Sequence, residues 1–241
     1  MLTNASIDKS PCFFYYASTM TSTHPTLILA STSPRRRELI TLLGLTFQFV
    51  SVDVDESARA NELPDELVRR LSHAKAAIGA RDAKQSDAMV VGADTVVSID
   101  NTILGKPTDA ADAARMLKLL RHRAHVVYSG VTVMRGEKSI TEVATTTVHM
   151  RNYPDAEIVK YVATGDPLDK AAAYAIQNGS FRPVEYIEGC FANVMGLPLC
   201  HLYRALKKFG VPVGAPDHAC QEHLNIVCFE AERILEGVVS S

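Results

Sequence analysis

The sequence predicts an α/β fold with a mixed central sheet flanked by helices. Short apolar strands alternate with helical segments between residues 27 and 120, and two later strand-like segments joined by a tight turn are typical of an antiparallel hairpin. The 241 residues are 47% hydrophobic and 22% charged, which is enough chain and apolar surface to bury a sizeable core. This composition excludes a disordered or collagen-like chain.

The first elements are a strand, a helix and a second strand. Leu27 to Ala30 form a short apolar strand, followed by a loop of serine and threonine. A helix is expected to begin at Pro34 and to end at Gly44, because proline after a serine cap starts helices and glycine ends them. A second strand is predicted at 47–54 from the alternation of its side chains.

The next elements are two helices on either side of a long apolar strand. The first helix is predicted from about Pro64 to Ala83, and its apolar face consists of Leu67, Leu71, Ala74 and Ile78. The strand covers 88–99 and ends in a turn at Asp100-Asn101. Thr108 is expected to cap the later of these two helices, which is the third helix of the chain. Asp109 and Asp112 belong to its first turn, and its core face consists of Ala113, Met116, Leu117 and Leu120.

The remaining elements follow without a long linker. In order, they are a hairpin of 126–134 and 140–150 closed by Arg135-Gly136-Glu137, a helix at 154–164, short strands near Ala173 and Val184, and a helix at 198–209.

Three segments are predicted along the chain. Residues 1–24 are rich in serine and threonine and are expected to be a disordered extension. Residues 25–210 show no repeat and no low-complexity linker, so one catalytic domain is expected. Residues 211–241 form an acidic tail of net charge −4, in which a further helix could form, and the rest of the chain sums to +2. Since that balance allows only a local basic cluster, no nucleic-acid partner is expected.

The cellular setting is predicted to be the cytosol. The five cysteines are odd in number and lack a CxxC spacing, which favours free thiols in a reducing compartment. No apolar run of about 18 residues exists, so no membrane span or membrane partner is predicted. The apolar patch at 12–17 is too short for a signal peptide.

The clearest local signal is the serine-rich loop followed by Pro34-Arg35-Arg36-Arg37 at a helix start. Helix N-termini attract anions, and one arginine guanidinium group can bind two phosphate oxygens at once, so this pattern suggests a phosphate site. A capped helix with solvated arginines is the alternative. Neither the Walker motif nor GxGxxG is present.

Asp94 is the second signal, because it interrupts the apolar segment Met89 to Val97. A buried carboxylate is costly unless it meets a metal, a cation or a strong donor. Hydrogen bonding to nearby backbone is the alternative. The acidic stretch Asp53 to Glu56 could supply a second carboxylate, although by itself it is more typical of a solvated turn.

Two lysines complete the candidate chemistry. Lys75 is one position past an apolar-face residue and could border a cleft, and Lys106 has a backbone restricted by Pro107. Each lysine alone is more often a solvated surface residue, but together with the arginines they suit a polyphosphate. The cluster His218, Cys220, His223 and Cys228 matches no zinc spacing, and no GxSxG motif supports serine hydrolysis.

These motifs, in this order, resemble the Maf family over about residues 26–210. The segments that carry the resemblance are LASTSPRR (29–36), LSHAKA (71–76), GADT (92–95), GKP (105–107), PLDKA (167–171), AIQ (175–177) and VMGLP (194–198). The family implies an α/β fold of two lobes around a cleft, similar to inosine triphosphatases. It also implies hydrolysis of nucleoside triphosphates to the monophosphate and pyrophosphate with Mg²⁺ or Mn²⁺.

The resemblance also assigns roles. Ser33, Arg35 and Arg36 would bind phosphates, and the positions matching the family's catalytic residues are Glu56, Lys75, Asp94, Lys106 and Gln177. Glu56 and Asp94 would bind the metal, which prefers oxygen ligands, and Asp94 is preferred for orienting or deprotonating the attacking water.

The motifs look like the branch that acts on dTTP and UTP, with modified pyrimidine nucleotides as further candidates. The chain departs from that branch at Ala172 and Ala175, where glycines are usual, and at Asn178. Family members are often homodimers, which no feature of this sequence independently indicates.

Two other functions remain open at this point. One is a nucleotide-binding regulator of division or septum formation that does not hydrolyse its ligand. The retention of Asp94, Glu56 and both lysines argues against it, because a pure binder would not need the carboxylates. The other is a nucleic-acid-binding module, which ranks last because it rests only on Arg35-Arg36-Arg37 and on the family's supposed regulatory role.

Overall fold

Within residues 26–83 and 87–237, which the computed structural model describes, seven strands form one mixed sheet. The predicted extension at 1–24 lies outside the described residues. The strands are Leu27–Ala30 (β1), Phe47–Val50 (β2), Met89–Ile99 (β3), Thr102–Leu104 (β4), Ala124–Arg135 (β5), Lys138–Met150 (β6) and Val184–Glu188 (β7).

Helices cover both faces and one end of this sheet. They are Pro34–Thr41 (α1), Pro64–Asp82 (α2), Ala110–Leu120 (α3), Asp155–Val162 (α4), Phe191–Met195 (α5), Leu199–Lys208 (α6), Asp217–Leu224 (α7) and Ala231–Glu236 (α8). Two 3₁₀ turns, Asp166–Asp169 and Ala171–Ala173, lie between α4 and β7. The predicted α/β class with a mixed sheet flanked by helices is confirmed. Among the described residues, no helix combines the length and apolar composition needed to cross a bilayer.

The sheet changes direction at β3. The strand order is β2-β1-β3-β5-β6-β7, with β4 paired to β3. Strand β1 runs parallel to both β2 and β3, whereas β3, β5, β6 and β7 pair antiparallel. The early β–α–β connections therefore produce the parallel edge, and the predicted hairpin produces the antiparallel part.

Two hydrophobic clusters give the domain its two lobes. One packs β1 and the first half of β3 against α1, α5 and α6. The other packs the second half of β3 against α3, α4 and the 3₁₀ turns. Ile176 packs against both clusters, which places it where the lobes meet.

The tail contributes to the first cluster. Val211, Val213 and Cys220 are buried in it, and Leu224 and Ile234 pack against it. The Nε2 atom of His223 in α7 is also within hydrogen-bond distance of Oε1 of Glu38 in α1, at 2.8 Å. The described part of the acidic tail, residues 211–237, therefore folds onto the first cluster through α7 and α8.

Several details of the predicted elements are wrong, and the first is that α1 ends at Thr41 rather than at Gly44. Strand β2 ends at Val50 rather than Val54, and β4 and α5 were not predicted. The third helix is capped by Asp109, whose side chain accepts from the Asp112 N–H at 2.8 Å, and not by Thr108. Aspartate and threonine are both good caps, so composition could not separate them.

The strand predicted near Ala173 is instead a turn. Ala172 and Ala173 have φ angles of 56° and 61°, in the left-handed region. Alanine rarely adopts this conformation, so an apolar alanine run gives no warning of it.

The buried face of α2 also differs from the prediction. Leu67 and Leu71 are buried as expected, but Ala74 and Ile78 are only partly buried. The rest of the buried face consists of Val68, Ser72, Lys75, Ala76 and Gly79. A purely apolar criterion missed this face because two of its members, a serine and a lysine, are polar.

Candidate active site

A cavity of about 430 Å³ opens between the two lobes. This volume is ordinary for a site that binds a small molecule. All the site residues predicted from the sequence line it: Ser33, Arg35, Arg36, Glu56, Lys75, Asp94, Lys106 and Gln177. The structure therefore brings together residues that are up to 144 positions apart in the chain.

The end of β1 explains why the cavity forms here. The pairing of β1 with β3 stops at Ala30 and Gly92, while β3 continues for seven more residues. Asp94 lies two residues beyond that point, beside the space that β1 leaves open. Open α/β sheets bind ligands outside the carboxyl ends of their strands, and the loop from Ser31 to Ser33 enters this crevice.

Helix α2 reaches the site because two glycines let it lie directly on the sheet. A Cβ atom on Gly92 would collide with the backbone of Ser72 and Ala76, and one on Gly130 would collide with the Val68 carbonyl group. This close approach brings the Lys75 side chain to Asp94.

Lys75 bridges the two carboxylates of the site. Its Nζ atom donates to Oε1 of Glu56 at 2.6 Å and to Oδ1 of Asp94 at 2.7 Å. The side chains of Lys75 and Asp94 are 9% and 8% exposed, whereas that of Glu56 is 57% exposed.

Burial separates the acidities of the two carboxyl groups. For Asp94, burial outweighs the attraction of Lys75 and Arg36, so its pKa lies above the ordinary value. For Glu56, burial also acts to raise the pKa, but the hydrogen bond from Lys75 and the charges of Lys75, Lys106 and Arg36 lower it below the ordinary value. The surroundings of the two carboxyl groups therefore shift their pKa values in opposite directions.

Arg36 is held by neutral groups. Its Nε donates to the Gly196 carbonyl oxygen at 2.9 Å, and its NH2 donates to the Thr95 hydroxyl at 3.2 Å. Burial lowers the pKa of Arg36 from its ordinary value. No carboxylate of the described residues is within salt-bridge distance of this guanidinium group, so its charge is available to a ligand in the cavity.

A buried chain of hydroxyl groups orients Thr95 in turn. The Thr95 and Ser129 hydroxyls are 2.7 Å apart, and Ser129 donates to the Asn193 carbonyl oxygen at 3.1 Å. Ser129 and Asn193 are fully buried. Sequence reasoning did not find them, because a serine in a strand and an asparagine in a short helix carry no spacing signal.

The predicted phosphate loop has the expected helix start. Ser33 is the N-cap of α1 and accepts from the Arg36 N–H at 3.4 Å. Arg35 faces the cavity, with its NH1 3.8 Å from Asp169. Arg37 instead donates twice to the Ser31 carbonyl oxygen and lies over the Phe49 ring. Only two of the three consecutive arginines therefore face the site.

A strap formed by residues 166–177 closes the far side of the cavity. Lys170 is buried and donates to both Asp166 and Asp169. The Ala172 N–H donates to the Gly105 carbonyl oxygen at 2.9 Å, which ties the strap to the loop that carries Lys106. The strap ends at Gln177, so it positions two of the predicted site residues at once.

Glu56 and Asp94 offer the carboxylate oxygens that a divalent cation prefers as ligands, provided that water and a substrate supply the other ligands. Lys75 uses one oxygen of each carboxylate, and no hydrogen bond within the described residues takes Oε2 of Glu56 or Oδ2 of Asp94. Mg²⁺ commonly binds one or two carboxylates, with waters and substrate phosphates as its other ligands. The described residues contain no group of three or more acidic, histidine or cysteine side chains arranged for a metal ion.

Comparison with known families decides the assignment. The family model described as "Maf-like protein" matches residues 26–209, which include every residue of the predicted site. The chain belongs to the Maf-like family. The cavity of this Maf-like protein thus lies wholly inside the matched segment, and helices α7 and α8 lie outside it.

Several curated relatives are similar over most of their length. The dTTP/UTP pyrophosphatase of Pelotomaculum thermopropionicum is 45% identical over 189 residues, covering 78% of this chain and 98% of the relative. The dTTP/UTP pyrophosphatase of Geotalea uraniireducens is 46% identical, covering 76% and 95%. That of Dictyoglomus turgidum is also 46% identical, covering 76% and 96%.

A likeness to a solved structure is much weaker. The nucleoside-triphosphatase / dITP/XTP pyrophosphatase of Mycobacterium abscessus is 16% identical with a TM-score of 0.36, covering 54% of this chain and 76% of that one. The family assignment therefore rests on the sequence comparisons.

Proposed function

We propose that this Maf-like protein is a nucleoside triphosphate pyrophosphatase that hydrolyses dTTP and UTP to the monophosphate and pyrophosphate. Modified pyrimidine nucleotides are further candidate substrates. The observation that carries the proposal is one cavity that holds Arg36, whose hydrogen-bond partners are neutral, together with two carboxylates bridged by Lys75. A polyphosphate needs such cations, and its hydrolysis needs a group that handles the proton of water.

Four cationic side chains are proposed to bind the phosphates. Arg35, Arg36, Lys75 and Lys106 all line the cavity, and Ser33 places the N-terminus of α1 beside them. Phosphoryl transfer depends mainly on positioning and on charge stabilisation, which this arrangement supplies. The names of the curated relatives, together with their identity above 40%, support dTTP and UTP as the substrates.

Glu56 and Asp94 are proposed to hold Mg²⁺ or Mn²⁺ through the oxygens that Lys75 leaves free. Such a cation neutralises phosphate oxygens and lowers the pKa of a bound water. Asp94 is proposed to accept the proton of the attacking water. Its raised pKa brings it closer to the working pH, which suits a general base.

The nucleobase is proposed to lie against the apolar wall of the second lobe. Val97, Val127 and Tyr174 line the cavity on that side, and Ile176 lines it next to Gln177. This surface suits the flat face of a pyrimidine, while Gln177 can both donate and accept hydrogen bonds at its edge.

The test is pyrophosphate release from a panel of nucleoside triphosphates in Mg²⁺ and in Mn²⁺. We expect preferential turnover of dTTP and UTP by the native chain and at least a hundredfold loss in Asp94→Asn with nucleotide binding retained. Asp100→Asn is the matched control, since Asp100 forms an exposed salt bridge with Arg123. Binding without turnover in either metal would favour a non-hydrolysing regulator and overturn the proposal.

A further inference from the structure

The loop that carries Glu56 lacks regular secondary structure. It covers residues 51–63 between β2 and α2. The Glu56 side chain is more than half exposed, so packing does not fix its position. The Lys75 ammonium group donates a hydrogen bond to the Glu56 carboxylate, but the same group also donates to Asp94. Val52 and Val54 pack against buried clusters before Glu56, so contacts after Glu56 decide how the rest of the loop is held.

Arg70 of α2 makes that contact at two points. Its NH2 donates to the Ser57 carbonyl oxygen at 3.0 Å, directly after Glu56. Two nitrogens of its guanidinium group also donate to Glu62, Nε to Oε1 at 2.6 Å and NH2 to Oε2 at 2.8 Å. One rigid planar group thus spans the loop from one residue to six residues past Glu56.

Glu62 is itself held in place. Its Oε2 accepts the Arg59 N–H at 2.9 Å, and its own N–H donates to the Arg59 carbonyl oxygen at 3.1 Å. The side chain is only 8% exposed. The hydrogen bond from Arg70 lowers the pKa of Glu62 to about 2, so this pair stays ionised at neutral pH.

We propose that Arg70 is a positioning residue that fixes the Glu56 carboxylate for the divalent cation and the substrate, by clamping the 51–63 loop to α2 through Ser57 and Glu62. Arg70 does not line the cavity. The same helix carries Lys75, and Gly92 and Gly130 seat that helix on the sheet. The clamp therefore sets the distance between Glu56 and the Lys75–Asp94 pair.

The expected effect of Arg70 on kcat rests on the proposed function, whereas its expected effect on Mn²⁺ affinity is measured without turnover. The measurement is Mn²⁺ affinity by titration calorimetry in the presence of a non-hydrolysable α,β-methylene UTP, together with kcat and KM for UTP. We expect Arg70→Lys, which keeps the charge but loses the fork, to weaken Mn²⁺ binding and lower kcat by about tenfold each, as loss of groups that orient metal ligands does. Nucleotide affinity without metal should stay within about twofold.

Arg69→Lys is the matched control. Arg69 is adjacent on the same helix, and its NH1 donates to the Thr141 carbonyl oxygen at 3.5 Å rather than to the loop. We expect it to behave like the native chain. Glu62→Gln removes one partner of the clamp and leaves helix α2 unchanged. We expect it to weaken Mn²⁺ binding and to lower kcat, as Arg70→Lys does, so it provides the test if Arg70→Lys folds poorly.

A double-mutant cycle separates positioning from a direct effect of the Arg70 charge. If Arg70 acts through Glu56, adding Arg70→Lys to Glu56→Gln should not weaken Mn²⁺ binding further. Additive losses in the double variant, or native Mn²⁺ affinity in both Arg70→Lys and Glu62→Gln, would overturn the inference. Absence of turnover in the native chain would instead reject the proposed function and leave the Mn²⁺ result to decide this one.

Discussion

At the scale of single residues, the two carboxylates of the cavity differ because their surroundings differ. Asp94 is buried in a strand, and Glu56 stands on an open loop near several cations. The resulting displacement of their pKa values in opposite directions is typical of acid–base sites. Since burial raises the pKa of Asp94, protonation of this carboxyl group should set the acidic limit of activity.

A second buried group makes folding sensitive to acid. His125 is 2% exposed, its Nε2 lies 2.7 Å from the Tyr174 hydroxyl, and its Nδ1 has no partner among the described residues. Burial lowers its pKa from 6.5 to about 4. The unfolded chain therefore binds a proton at higher pH than the folded one, and stability falls as the pH drops from 6.5 to about 4.

We predict that His125→Gln reduces this loss of stability. At 1.36 kcal/mol for each pKa unit, His125 accounts for roughly 3 kcal/mol between pH 7 and pH 4. Glutamine keeps a hydrogen-bonding group near Tyr174 and does not titrate. Urea unfolding at pH 7 and at pH 4.5 measures the difference, and an equal fall in both proteins would show that His125 does not titrate as described.

At the scale of secondary-structure elements, the contact between α2 and the sheet depends on Gly92. We predict that Gly92→Ala destabilises the fold by about 1–3 kcal/mol, because the added methyl group meets the backbone of Ser72 and Ala76 rather than a movable side chain. Displacement of α2 also moves Lys75, so kcat should fall as well.

Gly105→Ala is the control for that experiment. No atom lies within 4 Å of a Cβ placed there, so its effect on stability should be small. Thermal unfolding and kcat for both variants provide the comparison. Equal stabilities would mean that α2 does not rest on Gly92.

The strap shows a second dependence on backbone geometry. We predict that Ala172→Val costs at least about 2 kcal/mol, because a β-branched residue is poorly tolerated at φ 56° and Ala172 is fully buried. Ala171→Val is the matched variant, since Ala171 is only partly buried and is not among the residues with positive φ. If denaturant unfolding gives both variants the same stability, the strap is not strained at Ala172.

The elements that sequence predicted best are those whose signals are local. Pro34 marked the start of α1, and the turn at Arg135-Gly136-Glu137 marked the β5–β6 hairpin. The site residues were found because their motifs match a family, which carries spatial information that periodicity lacks. The Arg70–Glu62 pair and the Thr95–Ser129 contact join residues with no such pattern. The left-handed Ala172 could not be predicted, because its conformation is imposed by the surrounding packing.

At the scale of the whole molecule, the two lobes and the tail share one framework. Ile176 packs against both clusters next to Gln177, so a shift between the lobes would change the width of the cavity. Helices α7 and α8 extend the first cluster beyond the family match. A homodimer and a cytosolic location stay predictions from the sequence.

The central claim is that water cleaves the bond between the α- and β-phosphates in this cavity. Phosphorus NMR of UTP incubated with the native chain and Mg²⁺ or Mn²⁺ tests it most directly. We expect UMP and pyrophosphate in equal amounts, with neither UDP nor inorganic phosphate as an early product. Early UDP with inorganic phosphate, or unchanged UTP under both metals, would contradict it.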